Sequence, residues 1–341
     1  MTAGVHMAAE IGEAPDAVRR QREALAAPLA ELVGALKRRP PQLVVTCARG
    51  SSGHAATFGK HLIERRFGIP VAAAAPNIAS VYRQRLRLDG QFFLAVSQSG
   101  RSDDLVAQAR SARQAGALTA AIVNATDSPL AEVCQIVLPM AAGAEVSVAA
   151  TKTFVASLAV LLRLAASWAE DSTLAAAVER LPGRLSDAAG LDWAPALPAL
   201  EEARSLIAIG RGPTLAIARE AALKLKETCN LHAEAFSGAE VLHGPVALIA
   251  NRYPVLMFMV MDETAPGLGQ LARDLVSKGA AVYFAGGEAA AVRLPALPPD
   301  HPEADAVCLI QSFYKLALNL AGRLGIDVDR PRHLHKITRT R

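Results

Sequence analysis

The sequence holds 341 residues, of which 52% are hydrophobic and 20% charged, with a formal net charge of +4. That is long for one domain and too apolar for disorder, so two domains of about 150 residues each are expected. Basic residues fall in short clusters (Arg19, Arg20 and Arg22; Lys37 to Arg39; Arg83, Arg85 and Arg87) with no aromatics interleaved; they read as solvated faces and argue against a nucleic-acid partner.

Cys47, Cys134, Cys229 and Cys308 lie far apart inside apolar runs, without a CxxC pair. They read as buried, reduced thiols, and a cytoplasmic location is expected. No apolar core of signal-peptide length stands at the N-terminus. The longest apolar stretch, Thr153 to Trp168, follows Lys152 and carries Ser157 and Arg163, so it reads as a buried helix and no membrane partner is expected.

Residues 1–40 are helical in rhythm, with Ile11, Val18, Ala24, Leu29, Leu32 and Leu36 recurring at helical spacing until Pro40-Pro41 ends the run. Leu43 to Cys47 is a β-branched apolar strand that breaks into Arg49-Gly50-Ser51-Ser52-Gly53 and a helix to about Arg66. Strands are expected at Val71 to Ala75, Phe92 to Ser97, Thr119 to Val123 and Ile136 to Leu138. Helices are expected between them at Ile78 to Leu86, Asp103 to Ala115 and Leu130 to Cys134, and a long helix from Thr151 to Trp168 closes the lobe. Alternating strands and helices imply βαβ units and a parallel sheet.

Residues 172–198, interrupted by Pro182, Gly183, Gly190, Pro195 and Pro198, read as a linker. The plan then restarts: Leu206 to Ile209 is a strand, Gly210-Arg211-Gly212-Pro213-Thr214 repeats the Arg-Gly turn, and a helix follows. Later strands are expected at Val255 to Val260 and Val282 to Ala285. The boundaries are a helical arm over 1–40, a first domain over 41–171, the linker, a second domain over 199–325 and a tail over 326–341. The fold class is α/β, two tandem parallel sheets flanked by helices in the doubly wound, flavodoxin-like manner.

Ser97-Gln98-Ser99-Gly100-Arg101-Ser102 directly follows a strand and precedes a helix. Open backbone N–H groups and the positive end of the helix dipole favour an anion there, and hydroxyls donate to phosphate oxygens without carrying charge. Gly50-Ser51-Ser52-Gly53 offers the same chemistry after the first strand. Such loops are often plain N-caps; two at neighbouring strand ends favour a phosphate site. Neither fits G-x-G-x-x-G or G-x-S-x-G, which excludes a dinucleotide fingerprint and a nucleophile elbow.

The segment Arg219 to Glu227 carries a second constellation. At about 100° per residue, Glu220, Lys224 and Glu227 fall within a sector of roughly 60°, and Lys226 points elsewhere. Two carboxylates bracketing an ammonium can support proton transfer, although an i,i+4 surface pair looks the same in sequence. His232, Glu234, Glu240 and His243 follow closely and are expected near the same helix end, where a His beside a carboxylate does acid/base work. No His, Cys, Asp or Glu pattern, His333-Leu334-His335 included, has metal-like spacing, so neither a metal nor a cofactor is expected.

Together these segments resemble the sugar-isomerase (SIS) family, in particular the isomerase half of glucosamine-6-phosphate synthase. The stretches that carry the resemblance are Gly50-Ser51-Ser52, Ser97 to Gly100, Val148-Ala149-Ala150-Thr151-Lys152, Glu220 to Glu227, His232 to Ala235, Leu242-His243-Gly244-Pro245 and Asp327 to Arg332. The resemblance implies that Ser51, Ser52, Ser97, Gln98, Ser99, Ser102 and Val148 hold a sugar phosphate. It further implies that Glu227 moves a proton between C1 and C2, that His243 assists ring opening from a neighbouring subunit, and that Lys336 engages the open-chain carbonyl, as an imine or otherwise. Lys224 and Glu220 orient that machinery, and a homodimer with shared active sites follows.

Ala150 stands where the synthase pattern has Ser. The helical arm begins almost at once and Thr2 follows Met1, so a glutamine-hydrolysing half is not expected. The resemblance then implies an SIS-type glucosamine-6-phosphate deaminase, releasing ammonia and fructose 6-phosphate. Action on galactosamine 6-phosphate or a fructosamine 6-phosphate, a plain aldose–ketose isomerase, and a non-catalytic sugar-phosphate sensor remain the alternatives.

Overall fold

The computed structural model describes residues 4–288, 292–334 and 336. Two compact units divide them. The first holds Asp16–Glu145, Lys152–Val178 and Lys336; the second holds residues 4–15, Val146–Thr151 and Glu179–Leu334.

The arm is two helices, α1 (Val5–Ala24) and α2 (Ala26–Arg38). Helix α2 buries Leu29, Leu32, Val33 and Leu36, a single helical stripe, and stops short of Pro40. The first unit continues with β1 (Val44–Cys47), α3 (Gly50–Phe67), β2 (Val71–Ala73), α4 (Asn77–Ser80), β3 (Phe92–Ser97), α5 (Asp103–Gln114), β4 (Leu118–Val123), α6 (Pro129–Val133), β5 (Ile136–Pro139) and α7 (Lys152–Ala169). Its sheet is parallel throughout, in the order β2-β1-β3-β4-β5. Every residue of β1 and β3 is buried, which is why these strands read as unbroken apolar runs. Helix α7 is long and apolar enough to cross a membrane, but it is buried on nearly every face as a core helix. Phe67 stacks on Trp168 with centroids 4.1 Å apart, joining the ends of α3 and α7.

The second unit contains most of α8 (Ser172–Gly190), then α9 (Leu197–Glu202), β6 (Ser205–Gly210), α10 (Thr214–Cys229), β7 (His232–Ser237), β8 (Pro254–Phe258), α11 (Ala265–Ser277), β9 (Ala281–Ala285), β10 (Val292–Leu294) and α12 (Pro302–Arg323). Its sheet order is β10-β9-β8-β6-β7, again all parallel. Read from the first strand of each sheet, the two windings are the same, so the repeated Arg-Gly turn does mark a repeated plan. All four cysteines are buried free thiols. Burial pushes Cys47, Cys134 and Cys308 up to about 12 and Cys229 up to about 11.

Two expectations differ from the structure, and one strand went unread. Residues 172–198 are mostly helix: α8 runs through Pro182, and α9 and a 3₁₀ turn at Ala194–Ala196 follow. Pro182 removes the N–H that would reach Val178, and the division between the units falls beside that residue, as it does beside Pro15 inside α1. The prolines weaken the helices without ending them. The helix expected over Ile78 to Leu86 is only the single turn of α4, since Arg83 takes a left-handed φ of 54° and breaks the run. Finally, His232 to Phe236 form β7, an edge strand whose exposed His232 and Glu234 alternate with inward Ala233.

Candidate functional site

In a parallel sheet wound this way, the loops after its first and third strands lie side by side where the strand order reverses. In the first unit these are the β1–α3 and β3–α5 loops. Arg49, in extended backbone, ends the first loop and Gly50 opens α3 with a φ of 52°. The Arg49 guanidinium donates through Nε to Asp104 Oδ2 at 2.8 Å and also reaches it through its terminal nitrogen. Asp104 is buried in the first turn of α5, so this pair ties the two loops together.

The second loop folds upon itself. Gly100 N donates to Ser97 Oγ at 3.1 Å, Arg101 N donates to Ser99 Oγ at 3.3 Å, and Leu130 N donates to Gly100 O at 3.1 Å. Gly100 has a φ of 62°, and a Cβ there would lie 2.0 Å from Ser128 Oγ, so only glycine fits. Both loop hydroxyls accept from backbone and keep their O–H for an outside acceptor.

Ser102 sits at the N-cap of α5 without making the capping hydrogen bond. Among the described residues, no protein partner engages the Ser52 and Ser102 hydroxyls or the Gln98 amide, whereas Ser51 is engaged. All are half-buried. The plain capping explanation therefore does not hold for Ser102. Ser51, Ser52, Ser97, Gln98, Ser99 and Ser102 lie at or just before the N-termini of α3 and α5, where helix N–H groups lack helical partners.

In the second unit, α10 brings Glu220, Lys224 and Glu227 together. The Lys224 ammonium is fully buried; it lies 3.4 Å from Glu220 Oε1 and in closer contact with Glu227 Oε2. Glu220 is also fully buried, while the Glu227 side chain is 22% exposed. The helix face inferred from spacing is real, and its carboxylate–ammonium–carboxylate order leaves one reachable member, Glu227. A surface pair it is not.

The other acid/base candidates do not join this cluster. His232 and Glu234 are on β7, and Glu240 and His243 are in a 3₁₀ turn over Glu240–His243. All four are exposed, and among the described residues none of their side chains makes a hydrogen bond or ion pair. The chain leaves α10 through left-handed Asn230 and enters β7, in which exposed and buried side chains alternate at His232, Ala233 and Glu234. Val148 is half-buried in the stretch Val146–Thr151. Among the described residues no group of three or more His, Cys, Asp or Glu could hold a metal ion; His335 lies outside them.

Two anchors went unread in the sequence. Asp329 accepts from the His6 and Met7 N–H groups at 3.0 and 3.1 Å and from Ser147 Oγ at 3.3 Å, and Glu10 accepts from Ser147 N at 3.2 Å. These bonds cap α1 and fix the stretch that bears Val148. In the first unit, Lys336 Nζ lies 3.2 Å from the buried Glu145 Oε2. The Asp in Asp327-Val328-Asp329 was visible as a motif, but its partners are more than 180 residues away in sequence, and no local pattern reveals them.

A profile of the SIS domain matches residues 40–167 and 199–284. The glutamine–fructose-6-phosphate aminotransferase (isomerizing) of Caulobacter vibrioides is 32% identical over 314 residues, covering 86% of this chain and 51% of the relative. The chain thus spans about half the length of the curated relatives it matches. Among solved structures, a Silicibacter pomeroyi DSS-3 protein named as a candidate phosphosugar isomerase shares 45% identity at a TM-score of 0.91, over 95% of this chain and 99% of that one. The C-terminal domain of glucosamine-fructose-6-phosphate aminotransferase from Francisella tularensis shares 25% identity at a TM-score of 0.85, over 96% and 98%. The profile falls on both sheets with their Ser-rich and Arg-Gly turns, and the chain belongs to the SIS domain family.

Proposed function

We propose that this chain is an enzyme acting on a phosphorylated amino sugar, and specifically an isomerising glucosamine-6-phosphate deaminase: glucosamine 6-phosphate and water give fructose 6-phosphate and ammonia. The observation that carries the reading is the set of unengaged polar groups, Ser52, Gln98 and Ser102, at two adjoining helix N-termini. Such a rim suits a phosphate dianion, which takes hydrogen bonds from hydroxyl and backbone N–H alike. The candidate phosphosugar isomerase that shares 45% identity supports the same substrate class.

Ser51, Ser52, Ser97, Gln98, Ser99 and Ser102 take the phosphate and neighbouring hydroxyls, with Val148 against the sugar. His243 assists ring opening, contributed across a homodimer. Glu227 removes the C2 proton of the open-chain aldehyde and returns a proton at C1, leaving an imine at C2. Water adds to that imine, and the C–N bond breaks as ammonia leaves. Lys224, held between Glu220 and Glu227, keeps the base oriented, and Lys336 engages the carbonyl oxygen of the open chain.

Purified chain incubated with glucosamine 6-phosphate is expected to release ammonia and fructose 6-phosphate in equal amounts. Ammonia from galactosamine 6-phosphate alone would move the assignment to the epimer. Ligand-dependent thermal stabilisation with no product from any hexosamine phosphate would replace the enzyme with a sensor.

A further inference from the structure

Glu145 is assigned no part in the reaction above, yet its surroundings are those of a functional carboxylate. Its side chain is fully buried just before α7. Oε1 accepts the Thr153 N–H at 3.1 Å and Oε2 accepts the Thr153 hydroxyl at 2.6 Å. Thr153 is the second residue of α7, where backbone N–H groups lack helical partners and the dipole favours negative charge. The backbone just before Glu145 is fixed as well, because the buried Lys152 ammonium donates to Ala144 O. On Oε2 the same carboxylate also receives the Lys336 ammonium at 3.2 Å, and Lys336 is 27% exposed.

We infer that Glu145 is the positioning residue for Lys336: a preset, buried carboxylate that captures the tail lysine and presents it at the site. A buried carboxylate needs its partners, since stripping one away leaves an uncompensated charge. Thr153 supplies two neutral donors and Lys336 a cation. An exposed lysine searches many rotamers, whereas one held on a rigid helix start does not. Glu145 acts through Lys336 and touches no substrate. The catalytic half of this inference rests on the proposed deaminase reaction; the pairing itself does not.

The test uses the full chain and two variants, Glu145→Gln and, should that fold poorly, Thr153→Val, which removes the hydroxyl donor to Oε2. Reductive methylation read by mass spectrometry reports the availability of each lysine amine, with Lys60 and Lys278 as internal references. Losing one charge-assisted contact is expected to speed methylation of Lys336 on the order of tenfold in Glu145→Gln, with a smaller rise in Thr153→Val. On glucosamine 6-phosphate, kcat is expected to fall with KM nearly unchanged, and Glu145→Asp to recover part of it. Unchanged Lys336 methylation overturns the inference, as does faster methylation with an unaltered kcat. If the wild-type chain releases no ammonia from any hexosamine phosphate, the proposed reaction fails while methylation still decides whether Glu145 holds Lys336.

Discussion

The two sheets are wound alike, but their equivalent loops carry opposite chemistry. After β1 and β3 the first unit offers Ser52, Gln98 and Ser102, whose side chains have no protein partner among the described residues, and Ser97 and Ser99, whose hydroxyls accept from backbone N–H groups. After β6 the second unit spends its one hydroxyl internally: Thr214 Oγ1 accepts from Arg211 N and donates to Arg211 O, each at 2.9 Å. That turn is so tight that a Cβ on Gly210 would lie 2.1 Å from Thr214 O. After β8 comes Met259 to Thr264, where Asp262 takes both the N–H and the hydroxyl of Thr264. A carboxylate there has used the donors a phosphate would need and would repel it besides. The scaffold repeats while the hydroxyl-bearing turns differ, and the second unit's titratable cluster lies toward the C-terminal end of α10. Fold and site are separable properties.

The sharpest way to break this division is Glu227→Gln. If binding belongs to the Ser-rich rim and proton transfer to α10, kcat should fall by about 100- to 10,000-fold while sugar-phosphate affinity, measured by calorimetry, holds. Equal loss of both would end the separation. Next is Ser102→Asp, which gives the open rim the character of the closed one. Phosphate affinity should drop about a hundredfold by charge repulsion, with folding preserved, because Ser102 is at an N-cap where Asp is welcome.

Gly100→Ala probes the rim's shape. It forces a side chain against Ser128 at a left-handed position, and thermal unfolding should show a loss of about 1–3 kcal/mol together with weakened phosphate binding. The matching change in the closed rim, Thr264→Ala, should cost about 1 kcal/mol and leave phosphate affinity untouched. Altered affinity there would mean that both rims bind.

The smallest effect distinguishes the units by acid response. In the first, the Leu174 N–H and then the Arg66 guanidinium lower Asp171 below its ordinary 3.8. Its contribution is present above that value and disappears as pH falls through the folded one, so Asp171→Asn should remove about 1 kcal/mol at neutral pH and flatten the acid limb of stability. In the second, burial raises Asp305 above 3.8. Its folded form holds a proton more tightly than the unfolded chain, and its contribution grows as pH falls through the raised value.

Much of this was readable because it is local. Strand–turn–helix alternation follows from apolar runs of four to six residues broken by glycine and serine, and the α10 cluster follows from helical spacing alone. What failed did so where distant contacts decide. The strand over His232 to Ser237 went unread, because it is pairing with β6 that makes it one and leaves His232 and Glu234 exposed. Pro182 looked like a break, yet α8 continues through it. Lys336, which pairs with Glu145, and the partners of Asp329 are separated from them by long stretches of chain, and nothing in the local sequence announces them.

The sequence by itself determined the parallel α/β plan, its repetition, the hydroxyl-bearing turns and the charged face of α10, since each depends on residues a few positions apart. Tertiary structure alone decided which hydroxyls stay unengaged, which carboxylate of α10 is reachable, and which buried group holds Lys336. The reason is physical: periodicity tells which way a side chain faces, whereas its hydrogen-bond partner is whatever the packed chain brings within about 3 Å of it.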